Sequence, residues 1–214
     1  MLVSDGVSLE LASTGPEPST IAVANLNSEG AAEYRFLVQG TSAPNLTPKM
    51  IPEQFGPEVK AIHVGTFGVV LEPMASTLAD VLRREHGRRL VMLDPNIRVG
   101  LAPDPEYREH LRTAISHSTI VKGSAADLAW LYPGLAYNAS AARLLNDGVS
   151  LVILPLEPAG AFGAHRALPL PMWPPLVAVL SQSSPSHRLG LAVLASTHPH
   201  PAAPTPACVL PHAL

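Results

Sequence analysis

The chain predicts an α/β fold built on a parallel sheet, and three observations carry that reading. From residue 61 to residue 154 short apolar runs alternate with amphipathic segments, an order that makes right-handed crossovers and hence parallel pairing. The apolar runs end in Gly65-Thr66-Phe67-Gly68, Asp94-Pro95-Asn96-Ile97-Arg98 and Lys122-Gly123-Ser124, and in open α/β sheets chemistry gathers at the carboxyl ends of the strands. Ahead of this core, two alternating runs flank the turn cluster Asn27-Ser28-Glu29-Gly30, the pattern of a β-hairpin. Helices are expected on both faces of such a sheet.

Each element follows from its residues. Residues 20–26 and 32–38 alternate apolar with small or polar side chains and form the hairpin, either an ordinary edge or a small lid. Val7 and Leu9 are candidates for one more short strand. Residues 41–57, rich in Pro, Asn and Thr, form a loop that returns to the main sheet. Ala-Ile-His-Val-Gly at 61–65 is the first core strand, and Pro73 opens a helix in which Met74, Leu78, Val81 and Leu82 make one apolar stripe. Arg83, Arg84 and Glu85 lie off that stripe as a solvated face, and His86-Gly87 closes the helix. Residues 89–98 form the next strand. Asp104 and Pro105 suit a helix start, with Leu111 and Ile115 facing inward. Residues 118–124 make the third strand, 139–146 a helix stopped by Asp147-Gly148, and 149–154 a buried-type strand.

Composition narrows the class. A length of 214 residues suits one α/β domain, or one with a small appendage. A net charge of −3 offers no electrostatic reason to expect nucleic acid. A single cysteine, Cys208, rules out an intrachain disulfide and fits a reducing compartment. The first residues have no basic n-region of a signal peptide, and no apolar run approaches the ~18 residues of a membrane span. Asn45 and Asn138 stand in glycosylation sequons that are treated as chance. A cytoplasmic protein with no membrane or nucleic-acid partner is expected.

Several residues carry two readings. Ser124-Ala125-Ala126-Asp127 has the capping-box spacing, in which hydroxyl and carboxylate each satisfy a backbone amide; a functional role competes for the same side chains. His63, beside a strand end, reads as packed or hydrogen-bonded, and Met74 and Met92 read as core filler. His198-Pro199-His200 lacks the i, i+4 helical spacing of a zinc motif. Gly65-Thr66-Phe67-Gly68 is a G-x-x-G and not the longer dinucleotide fingerprint.

The order of blocks resembles the PfkB (ribokinase-like) carbohydrate kinases, in particular the fructokinase and 2-keto-3-deoxygluconate kinase branch. The matching pieces are residues 18–23, Glu33-Tyr34-Arg35-Phe36, residues 63–68, the D-P-N-x-R block at 94–98, residues 121–128 and residues 148–160. The resemblance implies a partial ribokinase-like domain over 1–164, with the lid hairpin at about 18–40 and the crossover core at 61–154. It also implies ATP-dependent phosphoryl transfer to a sugar hydroxyl, assisted by Mg²⁺. Asn96, Arg98, Lys122, Ser124 and Gly160 become candidates for substrate or phosphate contact. Asp127, with Ser124 in the place of the family's N-x-x-E pair, becomes a candidate for holding Mg²⁺ through water.

The resemblance also has gaps. The family's opening strand and sugar-binding segment have no counterpart before the hairpin. Its T-L-G-x-x-G block corresponds to Pro155-Leu156-Glu157-Pro158-Ala159-Gly160, where Glu157 brings negative charge toward nucleotide phosphate. Its G-A-G-D motif, which supplies the general base, falls at residues 183–193, which hold no carboxylate. No Asp, Glu or Lys occurs from residue 158 to 214, so no catalytic residue is assigned and residues 165–214 are expected to form an irregular Pro/Ala/His-rich tail. A frameshift between residues 154 and 176 would account for it. Two readings follow: a sugar kinase by descent that does not turn over as this chain stands, or a non-catalytic remnant that binds a ligand or partner. Unpaired sheet edges would favour self-association.

Overall fold

The computed structural model describes residues 2–26, 32–156 and 161–166. Two sheets organise them. The hairpin pairs β1 (Ile21–Leu26) with β2 (Ala32–Leu37) antiparallel, Ile21 opposite Leu37. The main sheet has five strands in the order β3 (Ala61–Gly65), β4 (Leu90–Asp94), β5 (Ile120–Lys122), β6 (Leu151–Pro155) and β7 (Ala161–His165). β3 to β6 run parallel, and β7 returns antiparallel on β6. Helix α1 (Met74–Glu85) joins β3 to β4, α2 (Asp104–Ser116) joins β4 to β5, and α3 (Ala125–Leu131) with α4 (Tyr137–Asn146) joins β5 to β6.

All three crossovers step the same way across the sheet, so right-handed connections set these helices against one face. Burial agrees. The row Val64, Leu93, Val121, Val152 and Ala164 runs across the five strands and is buried, in one cluster with Leu82, Leu111, Ile115, Leu128 and Leu144 of the helices. The row on the opposite face, His63, Met92, Ile120, Leu151 and His165, is half-buried or exposed. No helix layer over that second face occurs among the described residues. His63 is therefore exposed rather than packed, and Met92 and Met74 are only half-buried.

The elements differ from expectation where tertiary contacts override local pattern. β4 stops at Asp94 instead of continuing to residue 98, because Pro95 has no amide to donate and Asn96 turns to φ 38°. Val7 and Leu9 form no strand; a 3₁₀ turn at Val3–Asp5 precedes them. Asp104 is the first residue of α2 and not its side-chain cap, and Pro105 sits in the first turn. Glu85 is not on a solvated face. It is 2% exposed and holds Arg84 at 2.8 Å and Arg89 in a second ion pair. Arg89 also donates to the carbonyls of Val59 and Phe55, both at 2.8 Å, and so ties the 41–57 loop region to the end of α1. β7 has no counterpart in the sequence reading, and His165, placed in the tail by pattern, still belongs to it.

Candidate functional site

The strand-end crevice is assembled from three neighbouring loops. Gly65 closes β3 opposite Asp94, so near that a Cβ at 65 would lie 2.2 Å from the Asp94 carbonyl oxygen. Only glycine lets the two strand ends approach in this way. Thr66 and Asn96 follow, each at positive φ (47° and 38°), a region that non-glycine residues seldom adopt and that collects at functional loops. The two are joined: Asn96 Nδ2 donates to Thr66 Oγ1 at 3.1 Å.

The loop after β4 is held by two side chains from different helices. Asp127 Oδ1 accepts the Ile97 amide at 2.8 Å, and the Tyr107 hydroxyl oxygen accepts the Arg98 amide at 2.9 Å. The Arg98 guanidinium is half-buried, reaches the Ile97 carbonyl at 3.4 Å, and has no carboxylate partner among the described residues. On β5, Lys122 Nζ meets Asp94 Oδ2 at 2.7 Å, so each charge compensates the other. Ser124 caps α3, its hydroxyl accepting the Asp127 amide at 3.0 Å while Asp127 Oδ2 accepts the Ser124 amide at 2.7 Å; the capping box is present. Burial pushes the Tyr107 phenol above its ordinary range and the nearby Asp127 charge adds to that, outweighing the opposing Arg98 amide. Tyr107 therefore stays neutral.

Thus Asn96, Arg98, Ser124 and Asp127 are joined through one loop and one helix start, and Lys122 stands beside them paired to Asp94. Gly160 lies outside the described residues, as do residues 183–193. Sequence reasoning missed Tyr107 and named Thr66 only within the strand-end block Gly65-Thr66-Phe67-Gly68. Tyr107 sits one helical turn before Leu111 on the same stripe of α2, so periodicity could have found its burial, though not its bond to Arg98. The hairpin reaches this region through Phe36, whose ring meets that of Phe67 edge-on at 5.0 Å. A groove of about 380 Å³ lies elsewhere, between α1 and α2, lined by Leu78, Arg83, Glu109 and His110 and by no strand-end residue.

Chemically the crevice offers a cationic fork, an amide side chain and a lysine already neutralised. Its carboxylates are engaged: Asp94 by Lys122, Asp127 by two amides and a hydroxyl. No group of three or more His, Cys, Asp or Glu side chains converges to hold a metal among the described residues. This donor set does not fit direct coordination of Mg²⁺, and no step is assigned to one.

An α/β protein with polar groups gathered at parallel strand ends is the class these features define. No family model matches the chain. A fructokinase from Rhizobium leguminosarum bv. trifolii is 36% identical over 149 residues, 69% of this chain and 45% of that protein. Fructokinase from Vibrio cholerae O395, in a form with fructose, ADP and calcium ion bound, superposes with a TM-score of 0.67 at 20% identity, covering 78% of this chain and 55% of that one. Aminoimidazole riboside kinase from Salmonella enterica gives 0.61 at 19% identity, covering 77% and 53%. The chain is a homologue of fructokinase with the fold of the PfkB (ribokinase-like) carbohydrate kinases. It spans about half the length of the relatives it matches. No described helix is long and apolar enough to cross a membrane.

Proposed function

We propose that this chain is a carbohydrate kinase by descent whose strand-end crevice binds a sugar, fructose first among candidates, without completing phosphoryl transfer on its own. The observation that carries the reading is the loop after β4, which holds Asn96 against Thr66 and bears Arg98, whose guanidinium has no carboxylate partner among the described residues, in a chain 36% identical to a fructokinase. Phosphoryl transfer needs positioning, charge compensation and a group to take the hydroxyl proton. Arg98 supports the first two by its fork geometry, with Lys122 as a second cation if a ligand phosphate displaces Asp94. Support for the third is missing among the described residues, where both crevice carboxylates are engaged. Losing a general base costs about 10²–10⁴ in rate. ATP remains the expected phosphoryl donor by family, and the V. cholerae relative holds ADP with fructose.

A coupled ATP/ADP assay with fructose, ribose and 2-keto-3-deoxygluconate tests this, run beside calorimetric binding of the same sugars. Binding that Arg98→Ala removes, with turnover at background, is expected. Sustained ATP-dependent turnover by this chain would overturn the claim of incomplete chemistry. Absence of any sugar binding would overturn the assignment of the crevice.

A further inference from the structure

We propose that Asp127 is a positioning residue, a clamp that fixes the loop bearing Asn96 and Arg98 onto the start of α3. A capping box needs only a local exchange between the first residues of a helix. Here the carboxylate does more. Oδ2 takes the Ser124 amide and the Ser124 hydroxyl, both at 2.7 Å, while Oδ1 reaches thirty residues back in sequence to the Ile97 amide at 2.8 Å. Three of the roughly four acceptor positions of a carboxylate are thereby filled, on a side chain only 7% exposed.

The next amide of the same loop, that of Arg98, is taken by the fully buried Tyr107 hydroxyl. Two successive backbone donors are thus pinned by side chains from α3 and α2. The loop leaves β4 through Pro95, and Asn96 is held at φ 38° with its amide on Thr66. Pinning Ile97 and Arg98 fixes where the two side chains before and after Ile97 emerge. The clamp is a property of this chain's own residues and stands whether or not the crevice binds sugar. It also assigns Asp127 a task other than the metal-holding one that the family resemblance suggests.

Amide hydrogen exchange and ¹H–¹⁵N spectra of the full chain test this with three variants and one probe ion. Asp127→Asn keeps an oxygen for Ile97 but has only an amide nitrogen to offer Ser124. It should leave Ile97 protected and speed exchange at Ser124 by at least about tenfold. Asp127→Ala should open both amides and shift the Asn96 and Arg98 resonances. Ser124→Ala, which retains the carboxylate, should leave Ile97 protected, and it keeps the test open if Asp127→Ala fails to fold. Wild-type chain titrated with Mn²⁺ should show no selective paramagnetic broadening at Ser124 or Asp127. Uniform acceleration across the whole core in Asp127→Ala would reduce the residue to general stability and overturn the clamp. So would an unchanged Ile97 amide in that variant, or Mn²⁺ broadening at Asp127 that Asp127→Asn abolishes while Ile97 stays protected.

Discussion

Replacing Gly65 by alanine should damage the crevice far more than its one added methyl suggests. The new Cβ would lie 2.2 Å from the Asp94 carbonyl oxygen and 3.2 Å from its carbon. Both are backbone atoms in the ladder between β3 and β4, and neither can rotate away. Ordinary contact requires the strand ends to part by over about 1 Å. Overpacking of this kind costs about 1–3 kcal/mol, and for a chain of this size each kcal/mol lowers the melting temperature by about 2–4 °C. A drop of about 2–12 °C is expected on that basis. Parting the strands also moves Thr66 from Asn96 and draws Asp94 from Lys122, so amide resonances at residues 94–98 should shift. Gly123→Ala is the control. Its Cβ would meet Asp127 and Pro95 side-chain atoms at 3.7 Å, ordinary contact, and stability should change by less than about 0.5 kcal/mol. Thermal unfolding followed by circular dichroism, with an NMR spectrum of each variant, reads both effects. Equal melting temperatures for Gly65→Ala and wild type, with residues 94–98 unmoved, would refute the claimed close approach.

Glu85→Ala should cost about 1.5–3 kcal/mol in urea unfolding at neutral pH, since it removes the buried carboxylate from half-buried Arg89, which keeps only its carbonyl partners. Burial works to raise the Glu85 pKa, but Arg84 and Arg89 together outweigh it and hold the carboxyl below its ordinary 4.5. The stabilisation is therefore present above pH 4.5 and lost as pH falls through the lowered value, so wild type and Glu85→Gln should converge in strongly acidic buffer. Arg108 lies 4.0 Å over the Trp130 ring and donates to the Trp130 carbonyl at 2.9 Å; Arg108→Ala should lose about 1–2 kcal/mol by urea unfolding. Phe36→Ala removes the ring contact to Phe67, worth about 0.5–1.5 kcal/mol. Hydrogen exchange in the hairpin should quicken while the β4 and β6 amides keep their protection.

Much of the fold was legible because its signals are local. Residues 61–65 form a strand with the bounds read from sequence, since the apolar run ends on a glycine that the strand pairing itself requires. The capping box at Ser124 and Asp127 and the alternating hairpin are likewise contained within a few residues. What escaped is set by distant partners. Nothing near Glu85 reveals that Arg89 will fold back on it while binding carbonyls at Val59 and Phe55. Asp127 and Ile97 are separated by a strand and a helix, so only the assembled loops show their bond. β7 was missed because Ala-Phe-Gly-Ala-His carries weak strand preference and is ordered by its pairing with β6.

The most direct measurement is a fructose titration of ¹⁵N-labelled chain, with the sugar in large excess and backbone amides followed residue by residue. Shifts are expected to concentrate at Gly65, Thr66, Asn96, Arg98 and Lys122, and Arg98→Ala should abolish them. Shifts confined to the groove between α1 and α2, or none at the strand ends, would contradict that expectation.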